Sequence, residues 1–429
     1  MAIVLAKSKE ISPARLAAFR ILQQVETGAY SSILLAVEEP RLQPADRALC
    51  HELVLGVLRW QLQLDRIVEH FSRRRIEDLD AGVRIALRIG LYQLRFLTRV
   101  PASAAVNESV SLVRAARLSS ATAFVNAVLR RAIREAEYDP AADVSDPLEK
   151  IAVRTSHPVW LIERWASSFG IEEVEAFAGA NNLVPPTAFR IVVNRANQSD
   201  VLSRLSAAGA ALESSDIVKG AWRVLGATPL LREMSAAGEI YLQDEASQLV
   251  ADVMEVQRGD LVLDLCAAPG GKTTLMADRA GDAALIVSAD RSATRMATVV
   301  STTRLHELKS VRPIILDATE QLPFRRESFD RVLVDAPCSG TGTLRANPEI
   351  RWRLAEGDFE TFAAQQKKIL SRAIEVLKPG GRLVYSTCSV ELEENEEVIK
   401  DLNLRLLRTL RTWPQHEGTD GFFMAIFQR

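Results

Sequence analysis

The architecture this sequence predicts is an all-α half followed by a doubly wound, mainly parallel α/β sheet, with a small α+β segment between them. Two observations carry that expectation. Apolar residues in the first 140 positions recur three and four apart, the period of amphipathic helices. After about residue 246, short apolar runs alternate with helical stretches, as buried parallel strands joined by crossover helices do. A chain of 429 residues suits two to four domains, at roughly 100–200 residues each. With 48% hydrophobic and 25% charged residues, a largely disordered chain is excluded.

The predicted helices are 11–26, 45–71, 81–97 and 102–135, with breaks at Pro40 to Pro44, at Asp78-Leu79-Asp80 and at Pro101. In 81–97 the set Val83, Leu87, Leu91 and Leu94 faces one side, which places Arg84, Arg88 and Arg95 on or near the other. The polar, proline-flanked stretch from Tyr138 to Pro147 predicts a linker. Beyond it, 189–194, 222–225 and 239–242 read as strands and 200–211 as a helix. The parallel sheet is assigned to 261–265, 285–289, 311–316, 331–334, 382–385 and 422–427. The expected division is therefore 1–140 helical, 141–150 linker, 151–235 small α+β, and 236–429 the doubly wound domain.

No stretch approaches the ~18 uninterrupted apolar residues of a membrane span. The start, Met1 to Lys7, is too short for the apolar region of a signal peptide, and a cytoplasmic protein is expected. The four cysteines, at 50, 266, 338 and 388, lack metal-finger spacing and are too few for a disulfide scaffold, so no metal site is expected. The net charge of −2 does not point to nucleic acid, but it conceals an asymmetry. Between Arg73 and Arg134 there are twelve arginines against four acids. These are either a solvated helix face or a surface for phosphates.

Strand 261–265 carries Asp264 and runs into Cys266-Ala267-Ala268-Pro269-Gly270-Gly271-Lys272. A strand, a glycine-rich turn and a helix place a cofactor against backbone N–H groups at the strand's carboxyl end. Gly271-Lys272-Thr273 resembles the end of a phosphate-binding Walker loop, but the first glycine of that loop would fall at Cys266. Asp290 ends the next strand, where it can bind ribose hydroxyls, and Asp317 follows the third, where it can accept from an adenine amino group. Three acids closing three successive strands suggest a ligand carrying adenosine; the alternative is three unrelated turn caps.

The fourth strand ends in Asp335-Ala336-Pro337-Cys338-Ser339 and the fifth in Ser386-Thr387-Cys388-Ser389. Such strands are neighbours in a doubly wound sheet, so two thiols should meet beside the cofactor, with Lys272 available to lower a thiol pKa. Cys50 and Cys266 read as small core filler. A disulfide between Cys338 and Cys388 is disfavoured in a reducing compartment.

With these residues the chain resembles the RNA (cytosine-5)-methyltransferases that use S-adenosylmethionine. The resemblance also takes in 189–194, Gln243 to Ser247, Arg345 to Trp352, Leu377 to Gly381, Glu394-Asn395-Glu396 and Asp420 to Phe423. The first 140 residues resemble the NusB antitermination-factor fold through Asp46-Arg47, 56–59, Pro101, Asn107-Glu108 and 124–129. The combination is similar to the bacterial 16S ribosomal RNA methyltransferase B branch.

The resemblance implies a Rossmann-like methyltransferase domain behind a NusB-like RNA-binding domain, with S-adenosylmethionine as cofactor. Its partner would be 16S ribosomal RNA, free or in an early small-subunit precursor, and the protein a monomer. It also implies that Cys388 attacks carbon 6 of cytosine and that Cys338 assists release. Asp335, carrying or sharing a proton, would serve N3, and Lys272 would hold the base or stabilise the thiolate. The cofactor would lie on Cys266, Ala267, Ala268, Pro269, Gly270, Gly271, Lys272, Asp290, Asp317 and Asp335. Arg73, Arg74, Arg75, Arg84, Arg88, Arg130, Arg131 and Arg134 become candidates for RNA phosphates. Ala346 and Glu349 depart from the family pattern, where a basic residue and an Asp are common. The rival readings are the same chemistry on transfer RNA, or a non-catalytic antitermination or assembly factor.

Overall fold

A computed structural model describes residues 11–226 and 229–429. The expectation about the first seven residues therefore lies outside the described residues. The chain divides into two compact units, 1–183 with Leu344–Arg353, and 184–343 with 354–429.

The first unit opens with helices α1 (Pro13–Glu26), α2 (Ser31–Glu38), α3 (Pro44–Arg59), α4 (Gln61–Ser72), α5 (Ala81–Phe96), α6 (Ala102–Ala115) and α7 (Thr122–Arg134). Two predicted long helices are each broken in two. Trp60 leaves the helical region at φ −104° and ψ 19°, and its ring stacks on Phe96 at 4.9 Å, so tertiary packing ends α3. Between α6 and α7 the chain turns at Arg117, which has φ 61°. Neither break has a proline or glycine to announce it.

Helix α5 packs against α1, α3, α4, α6 and α7, and most of its residues are buried on every side. A helix in that position has no solvated face, which is the physical reason the two-sided reading of 81–97 fails. Close approach is built in at Gly56, where a Cβ would lie 2.0 Å from the Tyr92 ring.

Three further helices, α8 (Pro147–Thr155), α9 (Val159–Phe169) and α10 (Ile171–Ala180), pack on one another. Asp146 caps α8 by accepting from the Glu149 N–H at 2.7 Å, with proline at the first helical position. The segment Leu344–Arg353 belongs to this unit. Glu349 accepts from the Ser31 N–H and hydroxyl at 2.9 and 2.8 Å, at the start of α2. The Trp352 indole N–H donates to the Leu58 carbonyl at 2.7 Å, and Arg353 lies 4.7 Å from the Tyr30 ring centroid.

The second unit begins with an antiparallel sheet of order β2-β3-β1-β4. Its elements are β1 (Thr187–Ile191), α11 (Gln198–Ala207), β2 (Ala211–Ser214), β3 (Ala221–Leu225), α12 (Pro229–Ala236) and β4 (Ile240–Leu242). Phe189, Val201, Leu205, Val224, Met234 and Ile240 form its core.

After α13 (Glu245–Asp252) come β5 (Leu261–Asp264), α14 (Gly271–Arg279), β6 (Leu285–Asp290), α15 (Ala293–Leu305), β7 (Val311–Ile315) and β8 (Phe329–Asp335). The first unit's segment contributes α16 (Ile350–Arg353). Then follow α17 (Asp358–Val376), β9 (Leu377–Thr387), α18 (Glu396–Ile399), β10 (Arg405–Thr412) and β11 (Phe422–Gln428). The seven strands run β10-β11-β9-β8-β5-β6-β7. Neighbours from β9 to β7 are parallel, while β11 and β10 are added antiparallel. Strand order reverses between β5 and β8, so the carboxyl ends there form the crevice in which α/β sheets bind ligands. All six strands expected after residue 246 are present, and β10 is an additional edge strand.

Candidate functional site

The site is assembled at the carboxyl ends of β5, β6, β8 and β9. From β5 the chain passes through Leu265 to Gly270 into α14. Gly270 has φ 106°, a conformation that suits glycine, and it turns the chain so that α14 starts against the crevice. Asp264 is 1% exposed, and its Oδ2 accepts from the Thr273 hydroxyl at 2.6 Å. Its Oδ1 has no hydrogen-bond partner among the described residues. Burial pushes the carboxyl up to about 7; Thr273 opposes this and the nearby Asp335 reinforces it.

Asp290 closes β6, accepting from the Ser292 N–H at 2.9 Å and facing Arg295 at 3.4 Å. Asp317, beyond β7, accepts from the Thr319 hydroxyl and N–H at 2.7 and 2.9 Å, and those bonds hold it below the usual carboxylate range. Both acids thus also cap turns. They line one shallow cleft with Cys266, Leu316 and Pro337.

On α14, the Lys272 ammonium donates to Asp335 Oδ2 at 2.7 Å and lies 5.2 Å from the Phe422 ring centroid. Burial works against its charge. Contact with Asp335 outweighs that, helped by Cys388 and Asp264, and leaves the lysine pKa above its ordinary value. Asp335 Oδ1 accepts from the Ser386 hydroxyl at 2.7 Å. Both carboxyl oxygens of Asp335 are therefore hydrogen-bonded, one to Lys272 and one to Ser386.

The sulfurs of Cys338 and Cys388 lie 3.3 Å apart, and both cysteines are free. Strand pairing explains the encounter, because β8 and β9 run parallel in register up to Asp335 and Ser386. Its hydrogen bond to Cys388, then burial, raise the Cys338 thiol well above its ordinary pKa, with Glu394 and Asp335 adding repulsion. Cys338 therefore keeps its proton, and either sulfur can be the donor in the contact with Cys388.

The chain matches the family described as 16S rRNA methyltransferase RsmB/F over 251–406, the NusB family over 12–134, and the ferredoxin-like domain of RsmF/B-like methyltransferases over 157–230. It is 31% identical to the probable ribosomal RNA small subunit methyltransferase B of Bacillus subtilis, covering 98% of this chain and 99% of that one. This chain belongs to the ribosomal RNA small subunit methyltransferase B family. The relative in Pseudomonas putida is 34% identical over 96% of this chain and 97% of its own. Among solved structures, the protein PH0851 is 26% identical with a TM-score of 0.84, covering 99% of this chain and 100% of that one.

As a family member the chain is an S-adenosylmethionine-dependent methyltransferase with a NusB-like helical domain and a Rossmann-like sheet. Of the residues singled out beforehand, the second unit brings Lys272, Asp335, Cys338, Cys388 and the 266–271 turn to one crevice. Cys50 is fully buried filler, pushed up to about 12 by burial.

The arginines divide. Arg73, Arg74, Arg75, Arg130 and Arg134 are exposed, and Arg131 is half-buried, on the carboxyl ends of α4 and α7 and the turn after α4. The Phe71 carbonyl, accepting from Arg131, ties the two ends together. Arg84 is paired with Glu26. Arg88 corrects the expectation: it is 5% exposed, with Nε and one terminal nitrogen on Asp65 at 2.7 and 2.8 Å and the other on Glu26 at 2.8 Å. Its guanidinium nitrogens are thus already spent on two acids. Glu349 is likewise buried against Ser31.

Sequence reasoning gave no role to Ser386, Thr273 or Glu394. Glu394 stands in the quoted Glu394-Asn395-Glu396 motif, but a single acid in a loop announces no partner. Nor did it foresee that Arg190 on β1 would lie fully buried against Asp278, Thr274 and Gln243, joining the small sheet to α14.

Proposed function

We propose that this protein methylates carbon 5 of a cytosine in 16S ribosomal RNA through a transient bond between Cys388 and carbon 6. The observation that carries the reading is the pair of free sulfurs at 3.3 Å beside the Lys272–Asp335 ion pair. Carbon 5 is too weak a nucleophile to take a methyl group directly. Addition of a thiolate at carbon 6 makes it enamine-like and divides one difficult step into two.

Cys388 is the attacking sulfur in this reading, as the family resemblance implies, with the raised pKa of Cys338 keeping that neighbouring thiol protonated. As charge builds on the ring, the proton shared by Lys272 and Asp335 is available to N3. On release the carbon 5–hydrogen bond breaks, its electrons re-form the carbon 5–carbon 6 double bond, and the Cys388–carbon 6 bond breaks. The Cys338 S–H donates to the departing sulfur, the Cys338 thiolate so formed takes the carbon 5 proton, and the N3 proton returns to the Lys272–Asp335 pair.

S-adenosylmethionine, when bound, supplies the electrophilic methyl group. The residues present fit it. Asp290 would take the ribose hydroxyls, Asp317 the adenine amino group, and the partnerless Asp264 Oδ1 the cationic methionine end. The backbone of 266–271 would lie along the cofactor.

Residues 236–429 carry the chemistry in this reading, and 1–140 and 151–235 hold RNA, with Arg73, Arg74, Arg75, Arg130, Arg131 and Arg134 on phosphates. The target base is unstacked or flipped, since carbon 6 is shielded inside a helix. The protein acts as a cytoplasmic monomer. Among the described residues no helix is long and apolar enough to cross a membrane.

The test is transfer of tritiated methyl to unmodified 16S ribosomal RNA and to transfer RNA, with the product nucleoside identified. 5-Methylcytidine in 16S RNA is the expected product. Label confined to transfer RNA, or a different methylated nucleoside, contradicts the reading.

A further inference from the structure

The methyl-transfer steps make no use of the buried acid Glu394. It is 0% exposed and lies five residues beyond Ser389. Its Oε2 accepts from the Ser339 hydroxyl and, at 2.5 Å, from the Ser389 hydroxyl. Its Oε1 accepts from the Ser339 N–H at 2.8 Å and from Gln366 Nε2 at 3.1 Å. The same Gln366 nitrogen donates to the Pro337 carbonyl at 2.9 Å. Ser339 directly follows Cys338, and Ser389 directly follows Cys388. One carboxylate therefore holds the residue after each sulfur.

Nothing in the β-ladder performs that task. The pairing of β8 with β9 ends at Asp335 and Ser386, and one more backbone bond, Ala336 N–H to the Ser386 carbonyl at 2.8 Å, closes it. Both cysteines lie beyond that point. Further out, Gly342 donates to the Cys388 carbonyl at 2.9 Å and Val390 to Thr341 Oγ1 at 3.1 Å, so the loops remain neighbours without Glu394. Glu394 itself is anchored through its carbonyl, which accepts from the Tyr385 hydroxyl at 2.5 Å. A buried carboxylate costs several kcal/mol unless its lone pairs are met, and here four donors meet them.

We propose that Glu394 is a positioning residue that fixes the two cysteine loops against each other and so sets the 3.3 Å separation of the Cys338 and Cys388 sulfurs. The inference rests on reading these sulfurs as the working pair, but the separation can be measured without RNA. Diamide oxidises two neighbouring thiols to a disulfide, taking up their two electrons and two protons to become the hydrazine. The rate reports how readily the sulfurs reach bonding distance.

In the full chain, the rate of Cys338–Cys388 disulfide formation would be followed by peptide mass spectrometry in wild type, Glu394→Ala and Glu394→Gln. Cofactor binding serves as the check on folding. Glu394→Ala is expected to form the disulfide about tenfold more slowly and to lose about 100-fold in kcat with little change in KM, as misplacement of reacting groups by ~1 Å does. Glu394→Gln should restore both to within about fivefold. Its carbonyl can still accept from the Ser339 N–H and Gln366, and the serine hydroxyls can rotate to accept from its NH₂. Wild-type rates in Glu394→Ala overturn the proposal, as does a Gln variant as slow as the Ala variant.

If Glu394→Ala binds no cofactor, Glu394→Asp takes its place, since its shorter side chain cannot reach both loops while the direct Ser339–Ser389 hydroxyl contact at 3.1 Å is kept. Slower disulfide formation then supports the proposal and an unchanged rate overturns it. Wild-type protein that crosslinks as expected but makes no 5-methylcytidine would refute the methylation reading alone.

Discussion

A buried salt bridge in the helical unit and a half-buried one in the sheet unit differ in what they leave open. In the helical unit the Arg88 guanidinium is spent on both oxygens of Asp65 and on Glu26. In the sheet unit Lys272 makes one short contact to Asp335, whose other oxygen takes the Ser386 hydroxyl, beside two free thiols. The Lys272 and Asp335 side chains keep 14% and 23% of their exposure, against 6% and 12% for Arg88 and Asp65. A buried pair whose donors and acceptors are all spent on each other is architecture. One that faces a crevice and adjoins a nucleophile is available for chemistry.

That contrast is broken most severely from the helical side. Arg88→Ala strands Asp65 in the core and is expected to cost about 3–5 kcal/mol of stability. The denaturant midpoint would show it, while turnover per folded molecule stays at the wild-type value.

Lys272→Met should do the reverse, lowering kcat by about 100-fold, the usual cost of removing one charge-stabilising donor. Its unfolding midpoint should move much less than that of Arg88→Ala. Equal losses of stability in the two variants would erase the distinction.

Next in size is pH. An unfolded Asp titrates near 3.9, whereas burial raises folded Asp264 to about 7. The folded state therefore binds the extra proton between those values, and its contribution to stability is lost as pH rises through about 7. A cationic cofactor prefers the ionised form, so cofactor affinity should rise about tenfold from pH 6 to 8. Asp264→Asn should flatten both trends, as calorimetric titration and thermal unfolding across pH would show.

The smallest effect concerns the exposed arginines. Replacing Arg73, Arg74 and Arg75 by alanine should weaken RNA binding and reduce the salt slope by about one unit for each phosphate that is no longer neutralised. An unchanged slope would return these residues to the status of a solvated face.

The sheet was legible because buried parallel strands write themselves as apolar runs, and because Asp264, Asp290, Asp335 and Cys388 fall where those runs end. The pairing of Cys338 with Cys388 followed from strand adjacency. The environment of Arg88 did not, because α5 is wrapped on all sides, and its period alone does not show how many neighbours it has. Trp60 and Arg117 end helices through tertiary packing and an αL turn in sequences that favour continuation. Glu394 went unassigned because its four donors come from three separate segments, and no spacing rule links them.

The most direct test of the account is a denaturing gel of the protein incubated with unmodified 16S ribosomal RNA and S-adenosylmethionine. Cys338→Ala should accumulate a covalent protein–RNA band, because the sulfur is added but poorly released. Cys388→Ala should form none and transfer no methyl group. An adduct with Cys388→Ala and none with Cys338→Ala would contradict the account and exchange the roles of the two cysteines.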